Sequence, residues 1–159
     1  MMVFLHKTAA QYFCKTFGEL ANAIQQEIIT HFSHADTVIC VFDHYDHPND
    51  VKAYERRRHG TGQRAYKVFE NNQIPNWSSF LLVDDNKIEL SLFLSEVFER
   101  NAQKSISNNQ RLILTGGYKN STTTKIIEKD LISEPIHFRS NHLEADCRMI
   151  FMAHIMHSE

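Results

Sequence analysis

Apolar positions along this chain alternate between helical spacing and short unbroken runs. Phe17, Leu20, Ile24 and Ile28 recur at helical period, with Gln25, Gln26 and Glu27 among the polar residues between them. Thr16-Phe-Gly-Glu19 precedes them in the form of a capping box, so a helix is predicted to about Phe32, followed by a turn at Ser33-His-Ala-Asp36. Thr37 to Phe42 is a continuous, β-branched apolar run of strand length, the pattern of a strand covered on both faces. A second helix is predicted from Asn49 or Asp50 through Val51, Lys52 and Tyr54 to Arg58, interrupted by Gly60-Thr-Gly62. From Asp85 onward, Leu90, Phe93, Leu94, Val97 and Phe98 mark an amphipathic helix with Asp84-Asp85 as its N-cap.

Between these clear segments, Gln63 to Phe80 gives no single period, and Ile74-Pro-Asn-Trp77 reads as an irregular linker. Lys104 to Gln110 reads as a loop, and Arg111 to Thr115 as a second buried strand with a tight exit at Gly116-Gly117. A short helix over Thr123 to Leu131 and a brief strand at Ile136 to Phe138 are predicted next. The last helix runs from about Leu143 to the C-terminus, with Leu143, Cys147, Ile150 and His154 on one stripe and His154 against the core. Strands alternating with helices imply a layered α/β architecture.

At 159 residues the chain is the size of one domain, and its 42% apolar content can supply one core. A formal net charge of -2 argues against coating nucleic acid by bulk charge, although a local basic cluster still acts over roughly a Debye length. Cys14, Cys40 and Cys147 are scattered and odd in number, which points to a reducing compartment, cytoplasm or nucleus. No apolar stretch approaches the ~20 residues of a membrane helix, so no membrane partner is expected.

Two constellations carry candidate chemistry. The first is Asp43, directly after the first apolar run, followed by Lys52 and Arg56, Arg57 and Arg58. An acid at the carboxyl end of a parallel strand sits where open α/β folds place their sites. Its hard oxygens suit Mg2+ or Mn2+, and Lys and Arg can hold phosphates beside the ion. The bland alternative is a turn aspartate and a solvated basic helix face. The second constellation is Glu144-Ala-Asp146 at the start of the last helix, where the helix dipole favours acids without any metal. Histidines at positions 44, 47, 154 and 157 lack the dense Cys/His spacing of a zinc site. Gly116-Gly117 lacks a dinucleotide or P-loop spacing. Trp77 and the phenylalanines read as core.

Together, Val41-Phe-Asp43, Lys52, Arg56 to Arg58 and Glu144-Ala-Asp146 resemble the conserved blocks of the flap-endonuclease (XPG) nucleases and their PIN-domain relatives. The likeness is strongest to metazoan PIN-like proteins, many apparently transposon-associated. It includes Tyr45, Asn86-Lys87, Gly116-Gly117 and Ser140 through Asp146, and spans roughly Thr16 to the end. The resemblance implies a three-layer PIN-like α/β fold with a mainly parallel sheet, occupying residues 1–159 as one partial domain. It implies Asp43, Glu144 and Asp146 as ligands of Mg2+ or Mn2+. Lys52 and Arg57 would steer the scissile phosphate, and Lys52 with Arg56 to Arg58 would bind DNA or RNA.

The pattern also lacks two ligand groups common in such nucleases: an Asp on an earlier strand and a later Asp-x-Asp. Hydrolysis by two ions roughly 4 Å apart requires more negative oxygens than three carboxylates supply. The expectation is therefore weak or absent nuclease activity, with a non-catalytic nucleic-acid-binding or protein-interaction module as the alternative. An incomplete sheet would also leave an edge prone to self-association.

Overall fold

The computed structural model describes residues 14–43, 65–142 and 144–158. Helix α1 (Phe17–His31) starts where the capping box places it, with Thr16 Oγ1 accepting the Glu19 amide at 3.2 Å. The Glu19 carboxylate reaches back one residue further than the motif requires and accepts from Lys15 N at 2.7 Å. The segment after Val68 supplies the remaining acceptors: Asn72 O takes the Phe17 amide and Glu70 O the Gly18 amide. Gly18 permits this approach, because a Cβ there would lie 2.9 Å from Glu70 O.

Strand β1 (Thr37–Val41) follows, then a short helix α2 (Trp77–Leu81) in the stretch whose pattern reads as a linker. Asn76 caps α2 by accepting the Ser79 amide, a signal too brief for periodicity to register. Trp77 stacks on Phe80, which is itself buried. Helix α3 (Asp84–Ser105) begins at Asp84, so Asp84 and Asp85 lie inside its first turn and do not cap it. Their charge still favours that end of the helix.

Strand β2 (Arg111–Thr115) pairs in parallel with β1, placing Val38 beside Leu112 and Cys40 beside Leu114. Residues 123 to 131 depart from the predicted helix. Strand β3 (Thr124–Ile127) runs antiparallel to β2, and β4 (Ile132–Ser133) runs antiparallel to β3. Thr124, Ile126 and Ile127 are β-branched and fit a pleated surface better than a helix. The expected strand at Ile136 to Phe138 is instead a single 3-10 turn entered through Pro135.

The result is an α/β molecule with sheet order β1-β2-β3-β4. Among the described residues the sheet has one parallel and two antiparallel pairings, which corrects the expectation of a mainly parallel sheet. Two apolar clusters cover its faces. Leu112, Leu114 and Ile127 pack with α1 and α3; Ile113 and Ile126 pack with Phe138 of the 3-10 turn and with Met152 of the last helix, α4 (Ala145–Ser158). β1 contributes Val38 and Cys40 to the first cluster and Ile39 to the second. Its residues are only half-buried, unlike the mostly buried β2. Among the described residues no helix is long and apolar enough to cross a membrane.

Helix α4 also differs from its expected orientation. Cys147 and His154 are exposed and Ile150 is 72% exposed, whereas Ala145, Arg148 and Met152 are buried. The buried stripe thus follows positions 145, 148 and 152. It includes a charged residue that a hydropathy pattern assigns to solvent. Leu143 lies outside the described residues.

Candidate functional site

The parallel pairing of β1 with β2 brings two strand exits side by side. Phe42 donates its amide to Thr115 O at 2.9 Å, extending the ladder past β1, and the next residue is Asp43. On the neighbouring strand Gly116 turns the chain at a φ of 86°, a left-handed conformation that glycine adopts without strain. A Cβ on Gly116 would overlap the carbonyl oxygen of Phe42, and one on Gly117 would collide with the Ser95 hydroxyl and the Phe42 ring. The Gly-Gly pair is therefore an instrument of close approach between the two strand exits.

Helix α4 starts at this joint. Asp43 Oδ1 accepts the amide of Ala145 at 2.7 Å, across a sequence separation of 102 residues. The carboxylate thus acts as an N-terminal cap supplied by a different element, where the helix dipole favours negative charge. Helix geometry leaves the amides of Asp146 and Cys147 without intrahelical acceptors in the same turn. Glu144 and Asp146 are exposed beside it, as is Asp43.

One turn further along, Arg148 is 0% exposed. Its Nη1 donates to Thr115 Oγ1 at a long 3.4 Å, while Nε and Nη2 have no hydrogen-bond partner among the described residues. Burial pushes the basicity of this guanidinium down, and the negative charge of Asp43 opposes that shift. Thr115 is held in turn by Thr124, whose hydroxyl lies 2.8 Å from Thr115 Oγ1 and 2.9 Å from Phe138 O. Both threonines are fully buried, so a polar seam runs beneath the strand exits.

No family model matches this chain, and no curated protein or solved structure matches it.

Of the residues singled out from sequence, Asp43, Glu144 and Asp146 are brought to one place. Lys52, Arg56, Arg57 and Arg58 lie outside the described residues, as does Tyr45. Among the described residues no group of three His, Cys, Asp or Glu side chains is arranged to hold a metal ion. One oxygen of Asp43 already accepts an amide. Glu144 lies just before α4 and Asp146 in its first turn, so the divergence of roughly 200° between residues two apart on a helix does not apply to this pair. Sequence reasoning passed over Arg148 and Thr115. The available signal for Arg148 was its spacing of three from Ala145 and four from Met152, which places it on an apolar helical face.

Proposed function

We propose that this chain is a nuclease-derived domain of three-layer, PIN-like architecture that holds DNA or RNA by its phosphodiester backbone, with weak or absent hydrolysis. The supporting observation is the bond from Ala145 N to Asp43 Oδ1, which joins the end of β1 to the Glu144-Ala-Asp146 turn as the resemblance requires. Helices on both faces of the sheet are in keeping with the layered reading. Lys52 and Arg56 to Arg58 are the residues that the resemblance assigns to the nucleic-acid backbone.

The same juxtaposition favours a second reading, a nuclease dependent on Mg2+ or Mn2+ with Asp43, Glu144 and Asp146 as ligands and Lys52 and Arg57 at the phosphate. The engagement of Asp43 as a helix cap makes it the weaker of the two.

Incubating flap and single-stranded DNA and RNA with the chain, with Mg2+ or Mn2+ added, separates them. The expected result is salt-sensitive binding with little or no cleavage. Replacing Arg57 and Arg58 by alanine should weaken binding and reduce its salt slope by about two. Robust cleavage that Asp43→Ala abolishes would favour the second reading. Absence of any affinity for nucleic acid would remove both.

A further inference from the structure

A fully buried guanidinium with two nitrogens that find no hydrogen-bond partner among the described residues is an unusual element to keep in a core. Buried polar groups are almost always hydrogen-bonded, and an uncompensated buried charge is strongly unfavourable. Arg148 nonetheless directs one weak hydrogen bond at Thr115 and leaves Nε and Nη2 unused. It lies one turn inside the N-terminus of a 14-residue helix, where the dipole and first-turn amides attract anions. Its Nη1 is 3.5 Å from where a Cβ of Gly116 would stand, so the missing side chain keeps backbone rather than hydrocarbon beside the guanidinium.

The helix start already carries one oxyanion. Asp43 places a carboxylate oxygen on the Ala145 amide, and its charge acts on Arg148. Asp43 is exposed, whereas the guanidinium on which its charge acts is fully buried.

We infer that the joint of the β1 exit, the Gly116-Gly117 turn and the first turn of α4 is a phosphate site, with Arg148 as its buried anchor and Asp43 as a resident stand-in. An incoming phosphate oxygen exchanges with Asp43 Oδ1 on the Ala145 amide, and the other oxygens accept from Arg148. The site works without a metal ion, since the positive charge is built into the helix. It deepens the phosphodiester-binding reading and rests on it for the natural ligand, whereas the affinity for phosphate itself stands apart.

The full chain is titrated with inorganic phosphate against chloride at matched ionic strength, and its thermal midpoint is followed. A phosphate-specific rise of about 3 °C or more is expected near tenfold saturation. Asp43→Asn keeps an acceptor for the Ala145 amide but removes the competing charge, so it should bind phosphate several-fold more tightly. Arg148→Met should abolish the phosphate response; if it also raises the midpoint in plain buffer, the unpaired charge was costing stability. No phosphate-specific rise in the unmodified chain overturns the site, whether or not Arg148→Met folds. Weaker phosphate binding by Asp43→Asn overturns the stand-in role. A single-stranded oligonucleotide is titrated in parallel. If it binds while phosphate gives no response, the phosphate site fails and the nucleic-acid reading survives. If phosphate binds through Arg148 while oligonucleotides do not, the site stands and the nucleic-acid reading fails.

Discussion

Helices α1 and α4 solve the same problem at their N-termini in opposite ways. At α1 the side-chain cap is local, with Thr16 accepting the Glu19 amide and Glu19 that of Lys15, while backbone carbonyls of the distant residues Glu70 and Asn72 take the first two helix amides. Among the described residues no buried Lys or Arg lies in α1 or in the segment that caps it. At α4 the cap is Asp43, which arrives at the end of β1, and the turn behind it contains a buried, incompletely bonded arginine. A helix start closed by its own Thr and Glu together with packed backbone carbonyls is structural. One closed by an exposed carboxylate over a buried cation is closed by something that a stronger anion can replace.

The largest expected break in this contrast comes from the strand exit that shapes the second joint. Gly116→Ala forces a left-handed conformation on an L-residue and drives a methyl into the Phe42 carbonyl. A loss of about 3 kcal/mol or more is expected by denaturant titration, from backbone strain plus overpacking. Asp43→Ala should cost about 2 kcal/mol, combining a lost cap with a less compensated Arg148; exposure of the aspartate keeps the figure modest. Thr16→Ala removes one local bond at a helix start with several other acceptors and should cost about 1 kcal/mol. If Asp43→Ala costs no more than Thr16→Ala, the two helix starts are energetically alike and the contrast fails.

The smallest effect is chemical. Desolvation pushes the Cys40 thiol in β1 up to about 12, so it stays protonated and poorly nucleophilic at pH 8. Cys147, exposed on α4, should be alkylated first under native conditions, with mass spectrometry reading the order. Early modification of Cys40 would mean that β1 opens more readily than its packing implies.

The local cap was legible because Thr16 and Glu19 stand three residues apart in the chain, and the periods of α1 and α3 followed from contiguous residues. The strand runs at β1 and β2 were equally plain. Residues 123 to 138 were not, since Thr124 to Ile127 becomes a strand by pairing with β2, a partner that periodicity does not name. The acids of the candidate site were found through their resemblance to a nuclease pattern. The role of Asp43 as a cap was not, because it depends on a contact over 102 residues. Arg148 was missed for a physical reason too: hydropathy assigns guanidinium groups to solvent, whereas here Nη1 turns inward to the buried Thr115 hydroxyl.

The span of the Asp43 to Ala145 bond also bears on the order of assembly. Closing so long a loop is entropically unfavourable until β1 and β2 are already paired, because neither partner is positioned before then. The C-terminal helix should accordingly dock late in folding. In the folded protein its first turn should release amide protons to solvent before the helices on the opposite face of the sheet do.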